Sequence, residues 1–282
     1  EDMEREREVI FQEISMVEDT PDDHLNLLFQ RLFWPDHPIG RSVLGSAETV
    51  GRMDQEMIRE YIRKYYIPER VLVVAAGNVD HEQMVEYFRP IFETDNNFSG
   101  DNPQRSLPLT SGGVLVTPKP LEQVHLFLGS DAPSHVDESR FACALFNTIL
   151  GGNMSSRLFQ EIRENRGLAY SVYSFFSPYA DAGLFGVYAG TDPRNMNSVL
   201  EITKNEIRKL RSGQLSKDDL AAAKENAIGG MYLASESSDS RMMRAAKNEF
   251  IFQRYVDYEE VVESIERVSV DDVVEMADKI FG

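Results

Sequence analysis

Cysteine is almost absent. Cys143 is the one cysteine in 282 residues, which excludes an internal disulfide and any metal cluster built from cysteine thiolates. A reducing compartment is compatible with that. Histidine is scarce as well. His24, His37, His81, His125 and His135 are the whole set, and no two lie three or four residues apart, the spacing that puts two imidazoles on one helical face. Basic residues are outnumbered, 29 Lys and Arg against 47 Asp and Glu, for a net charge of −18. No basic stripe stands out, so a phosphate-backbone binder is excluded and no nucleic-acid partner is expected; anionic membrane surfaces would repel the chain. No run approaches the roughly 18 apolar residues of a membrane-spanning helix. Nor is there a secretory signal, so a cytoplasmic location is the expectation, although the opening residues already read as mid-helix without a start methionine and more chain is expected before Glu1.

What is present is a globular composition, 42% hydrophobic, long enough for two modest domains with a core each. Residues 1–17 read as a helix. Thr20 or Asp22 can cap a second, carrying Leu25, Leu28, Phe29 and Leu32, and Pro35, Pro38 and Gly40 end it. Residues 53–66 read as another amphipathic helix, RVLVVAAGNVD as a buried strand, and His81 to Phe88 as a helix. The stretch 94–113 is rich in Asn, Asp, Ser, Gly and Pro and reads as an interdomain linker. Beyond it GVLVTPKPLEQVHLFLGSDAP gives two strands, FACALFNTILGG a helix ending at glycines, MSSRLFQEIREN a further helix, and AYSVYSFFSPYADAGLFGVYAG a hairpin. Helices follow over 195–211, 216–235, 238–254 and 258–281. Such alternation implies α/β or α+β layering.

Within the first helix, an advance of about 100° per residue gathers Met3, Val9, Ile10, Ile14, Met16 and Val17 on one half of the cylinder. Glu6 and Glu13 fall in the middle of that half, and Phe11 on the other side. Carboxylates on a core-facing stripe are costly unless they pair with a cation, hydrogen-bond or bind a metal. Seven residues apart, they lie about 20° short of two full turns and share a face, so one can ligate a metal while the other orients the site. Spacing alone favours a pair of solvated glutamates, and the stripe position narrows that preference without reversing it.

An internal repeat supports two copies of one module. Laying 48–66 over 263–281 matches Glu48 with Glu263, Arg52 with Arg267, Glu60 with Glu275, Lys64 with Lys279 and Tyr66 with Phe281, an offset of 215 residues. If the second module starts near 113, the first starts about a hundred residues before Glu1. On this reading 1–105 is the C-terminal part of the first module, with the linker at 94–113, and 113–282 is the second module. The strand and helix after Tyr66 have no counterpart after Phe281, so more chain is expected there too.

EREVIFQEI near the start, HPIGRSVLGSAETV, YYIPERVLVVAAGNVDHE and LGGNMSSRLFQEIRENRGLAYSVYS, in that order, resemble the pitrilysin or insulinase class of zinc metallopeptidases. Among its members, the bacterial two-module processing proteases and the β subunit of mitochondrial processing peptidase look most alike, and the likeness extends over nearly the whole chain. The resemblance implies an α+β fold of two homologous modules, each a mostly antiparallel sheet packed with helices on one face, forming half of a clamshell. It also implies a zinc-dependent endopeptidase that cleaves short or unfolded polypeptides through metal-activated water. In the family an inverted motif, HxxEH, supplies two histidine ligands and a general-base glutamate. That motif does not occur in these 282 residues; the family places it upstream. Carried over by motif, Glu13 is the zinc ligand and Glu6 its supporting carboxylate, while Arg163 and Tyr170 in RENRGLAY hold the substrate and stabilise the tetrahedral intermediate.

From the residues alone, Arg163 reads more readily as a solvated helix-end charge and Tyr170 as a strand residue packing on the core. LGGNMSSR lacks a Walker lysine and the Rossmann glycine spacing, so it reads as a helix stop and restart rather than a phosphate cradle. The resemblance further implies a homodimer or paired subunit closing the clamshell. Without HxxEH the 282 residues are expected to be inactive alone and to bind zinc weakly or not at all. Family members that have lost the zinc motif serve as non-catalytic scaffold or partner subunits, and this is the alternative reading.

Overall fold

In this computed structural model, which describes residues 2–93 and 106–282, the chain is mainly helical with one small sheet. The first half carries α1 (Asp2–Asp19), α2 (Pro21–Phe33), α3 (Ala47–Arg52), α4 (Gln55–Tyr65) and α5 (His81–Phe92). The starts of α2 to α5 have local causes. Pro21 sits in the first turn of α2 with Asp22 and Asp23 beside it, matching the positive end of the helix dipole. Ser46 and Thr49 form a reciprocal capping box on α3, and the side chains of Asp54 and Asp80 accept from Met57 N and Gln83 N to cap α4 and α5.

The second half contributes β1 (Val124–Asp131), α6 (Arg140–Leu150), β2 (Ala169–Pro178), β3 (Gly183–Thr191), α7 (Met196–Arg211), α8 (Lys217–Ala234), α9 (Ser238–Phe252), α10 (Tyr258–Arg267) and α11 (Val270–Phe281). The strands form an antiparallel sheet of order β1-β3-β2, and the expected hairpin is the β2–β3 pair. β3 is central and buried along its whole length. Its period-2 alternation sends Phe185, Val187 and Ala189 to one face, where they pack with Phe146 and Leu150 of α6, Val199 and Leu210 of α7, and Val273, Met276 and Ile280 of α11. This is the main core, and its helices line one face of the sheet as expected.

The other face is covered by α2. Phe29 stacks on Phe127 of β1 with ring centroids 4.2 Å apart, and Phe33 and Trp34 bury with Leu184. Gly129 makes this approach feasible, because a Cβ there would stand 2.3 Å from the Phe29 ring.

Contacts divide the chain into two compact units interleaved along the sequence. One unit consists of Glu1–Val17, Ser42–Ser106 and Leu233–Tyr255; the other, of Glu18–Arg41, Leu107–Tyr232 and Val256–Gly282. The sheet and both clusters of buried apolar side chains belong to the second unit. In the first, α1, α4 and α5 have no fully buried residue.

Several expectations need correction. RVLVVAAGNVD forms no ladder among the described residues, and Val71, Leu72 and Val73 are exposed, because a β-branched run becomes a strand only when another strand takes its hydrogen bonds. The same holds for Gly113–Thr117, so only the second of the two strands expected after the linker is formed. The helix expected over MSSRLFQEIREN forms only from residue 157, and it is π-helical over Phe159–Glu164. The helix expected over 258–281 breaks at Val268, where Ser269 and Asp272 build a capping box that starts α11 afresh. Most of the linker, 94–105, lies outside the described residues.

Candidate functional site

The sequence placed Glu6 and Glu13 on a buried stripe of α1; both are exposed. The half-buried face is rotated from the expected one and consists of Met3, Arg7, Ile10, Phe11, Ile14 and Val17. Arg7 earns its place there through polar contacts: its guanidinium donates to the Met53 carbonyl at 2.6 Å and pairs with Glu4 at 2.8 Å. Val9 and Met16, expected inside, are 47% and 64% exposed and flank the two carboxylates. Arg5 pairs with Asp2, so neither arginine of α1 neutralises Glu6 or Glu13. What survives is the shared face: two carboxylates about two helical turns apart, neither with an ion-pair partner among the described residues, set in an apolar strip.

Arg163 and Tyr170 are brought together. The Arg163 guanidinium lies 4.5 Å from the centroid of the Tyr170 ring and 4.9 Å from that of Phe159, so it rests against two aromatic rings. Its ion pair with Glu164 is long, at 3.9 Å, and its side chain is about one-third exposed. Tyr170 is 76% exposed, which rules out the core-packing reading of this strand residue. Its hydroxyl makes no hydrogen bond among the described residues.

The local sequence explains the pairing. After the π-helical turn, Gly167 takes a left-handed conformation with φ +59°, its N–H donating to the Arg163 carbonyl at 3.0 Å. Leu168 N–H donates to the Ile162 carbonyl at 2.9 Å, so an αL-type closure through Gly167 is followed by a wider bond that spans the π-helical end. The chain then enters β2 with a register shift between Ala169 and Ser171, which leaves Tyr170 as the extra residue of a bulge. Gly167 and Phe159 were not singled out from the sequence. Arg-Gly-Leu at a helix end is a readable stop signal, whereas Phe159 gave no sign of being other than a core residue.

The histidines are accounted for in other ways. His37 Nδ1 accepts from Ile39 N in a short turn, and His81 opens α5. His125 Nδ1 lies 2.8 Å from the Tyr188 hydroxyl; burial lowers the imidazole pKa, partly countered by Asp22, while burial foremost pushes the Tyr188 phenol up to about 12. Among the described residues no three His, Cys, Asp or Glu side chains gather closely enough to hold a metal ion. LGGNMSSR behaves as a stop: α6 ends at Leu150, and the N–H groups of Gly151 and Gly152 both donate to the Asn147 carbonyl.

Residues 52–227 match the family described as the peptidase M16 inactive domain. The whole chain aligns at 38% identity with 63% of a Streptomyces coelicolor protein named an uncharacterized zinc protease. With the Bacillus subtilis protein YmxG, also named an uncharacterized zinc protease, it is 32% identical over 99% of this chain and 68% of the relative. The crystal structure of a peptidase M16 inactive domain from Pseudomonas fluorescens superposes with a TM-score of 0.85 at 19% identity, covering 100% of this chain and 67% of that one. The chain spans just under two thirds of the length of several curated relatives that it matches.

Proposed function

The chain belongs to the peptidase M16 family, and from that premise we propose that it is the substrate-holding part of a zinc-dependent endopeptidase acting on short or unfolded polypeptides. The observation that carries this reading is the exposed Arg163–Tyr170 pair. A guanidinium and a phenol held side by side, with N–H and O–H groups left over, can donate together to a peptide carbonyl and to the negative charge that develops on its oxygen. Substrates are unfolded because only an extended chain exposes its carbonyls to such donors.

The donors among the described residues do not make a zinc site. They offer two carboxylates on one exposed helix face with no histidine beside them, whereas a catalytic zinc takes three protein ligands, commonly with histidine among them. Glu13 is proposed as one ligand of a centre completed by histidines outside the 282 residues, with Glu6 orienting it. An exposed Glu13, with no ion-pair partner among the described residues, is what such a shared centre requires. The part played by this chain's other residues is to bind and orient the peptide: Arg163 and Tyr170 fix the carbonyl, and a second two-module subunit, identical or paired, would close the clamshell around it.

The test is hydrolysis of an unstructured fluorogenic peptide by the longer polypeptide that contains this chain. Glu13→Gln should abolish both the activity and the bound zinc. Unchanged zinc content and unchanged hydrolysis in that variant would refute the ligand assignment. Failure of the parent protein to cleave any unstructured peptide with zinc present would instead favour the non-catalytic partner reading.

A further inference from the structure

Leu168 is fixed from both sides. Its N–H donates to the Ile162 carbonyl at 2.9 Å, across the end of the π-helical turn, and its carbonyl accepts from the Thr191 hydroxyl at 2.6 Å. Thr191 is 1% exposed and ends β3, where it pairs with Val124 of β1 and Ala169 of β2. Arg163 directly follows Ile162, and Tyr170 stands two residues after Leu168. One backbone unit therefore ties the turn bearing Arg163 to the strand bearing Tyr170.

This tie matters because the ladder does not place Tyr170. Ala169 pairs with Thr191 and Ser171 with Gly190, which leaves Tyr170 without a register partner on β3. A bulged residue takes its direction from the backbone on either side, and on the upstream side that backbone is held by the Ala169 pairing and, one residue earlier, at the Leu168 carbonyl. The hydroxyl is also specific to this task. It points to the helical side of the sheet, where the residues two and four positions before it on β3, Ala189 and Val187, are purely apolar, and the Leu168 carbonyl is the acceptor it reaches.

We propose that Thr191 is a positioning residue: through the Leu168 carbonyl its hydroxyl sets the spacing between the Arg163 guanidinium and the Tyr170 ring, and so the geometry of the two donors offered to a substrate carbonyl. The catalytic consequence rests on the peptidase reading; the spacing itself does not. Groups held at near-productive geometry lose rate steeply when displaced by even about 1 Å.

The experiment separates the two. In the 282-residue chain, the Arg163 side-chain resonances carry ring-current shifts from Tyr170 and Phe159, and Tyr170→Leu identifies the Tyr170 share. Thr191→Val, which keeps the shape and deletes the donor, should move the Arg163 resonances toward their positions in Tyr170→Leu, and Thr191→Ser should return them. Resonances unmoved in a folded Thr191→Val protein would overturn the proposal. If Thr191→Val does not fold, Thr191→Ser still decides: wild-type Arg163 resonances support the proposal, and displaced ones despite the retained hydroxyl overturn it. In the longer polypeptide, Thr191→Val should lower kcat by about tenfold with KM little changed, and Thr191→Ser should restore it. Displaced resonances with an unchanged kcat would overturn the catalytic consequence alone, and an inactive wild type would sink the peptidase reading while leaving the NMR result standing.

Discussion

At the scale of single residues, the sequence carries the spacing of candidate side chains more surely than their surroundings. Arg163 and Tyr170 were legible from RENRGLAY, and they stand together, but their contact is made by a left-handed glycine closure and a bulge that no periodicity displays. Glu6 and Glu13 share a face as the seven-residue spacing requires. That face is outward because Arg7, which a helical wheel counts as surface, is drawn in by the Met53 carbonyl. For the longer polypeptide we expect Tyr170→Phe to lower kcat by about 10²- to 10³-fold if the phenol donates to the developing oxyanion, read from steady-state hydrolysis. A titration prediction follows from His125. Its folded pKa lies below the ordinary value near 6.5, so between the two the unfolded chain binds more protons and stability rises with pH. Urea midpoints should therefore fall as pH drops from about 7 to 5, and the slope should shrink in His125→Gln.

At the scale of elements, helices with a strong apolar period or a capping residue were legible to within a few residues, as was the β2–β3 hairpin, since both are encoded locally. The misses concern partners. A strand is defined by its neighbour, and neither 71–76 nor 113–117 has one among the described residues. The break between α10 and α11 has a local signal in Ser269-x-x-Asp272, but the apolar pattern runs straight across it and masked the cap. Ser269→Ala should cost about 1 kcal/mol in chemical denaturation. The Asp272 carboxyl is held below its ordinary value, first by the Ser269 hydroxyl, so its contribution is present above about pH 4 and is lost as pH falls through the depressed folded pKa. For α2, Phe29→Ala removes the ring stacked on Phe127 and should destabilise by about 3–5 kcal/mol. Trp34, the only tryptophan, reports it directly: its buried emission should shift to the red at lower denaturant.

At the scale of the whole molecule, the buried apolar clusters lie in one of the two units, and local stability should follow them. Amide exchange should be slowest in β3, α6 and α11 and fast across α4, 71–76 and α5, where few apolar side chains are fully buried. Comparable protection in the two units would contradict this. The same distribution bears on solubility. VLVVAA, residues 71–76, has no charge, no proline and no glycine, and its side chains at Val71 and Val73 are 42% and 43% exposed. Such a segment, with main-chain groups that no neighbouring strand occupies, templates pairing between molecules, and repulsion from a net charge of −18 opposes that encounter. Salt screens the repulsion without changing the segment, so any self-association of this chain into β-rich aggregates should set in at a lower concentration as ionic strength rises.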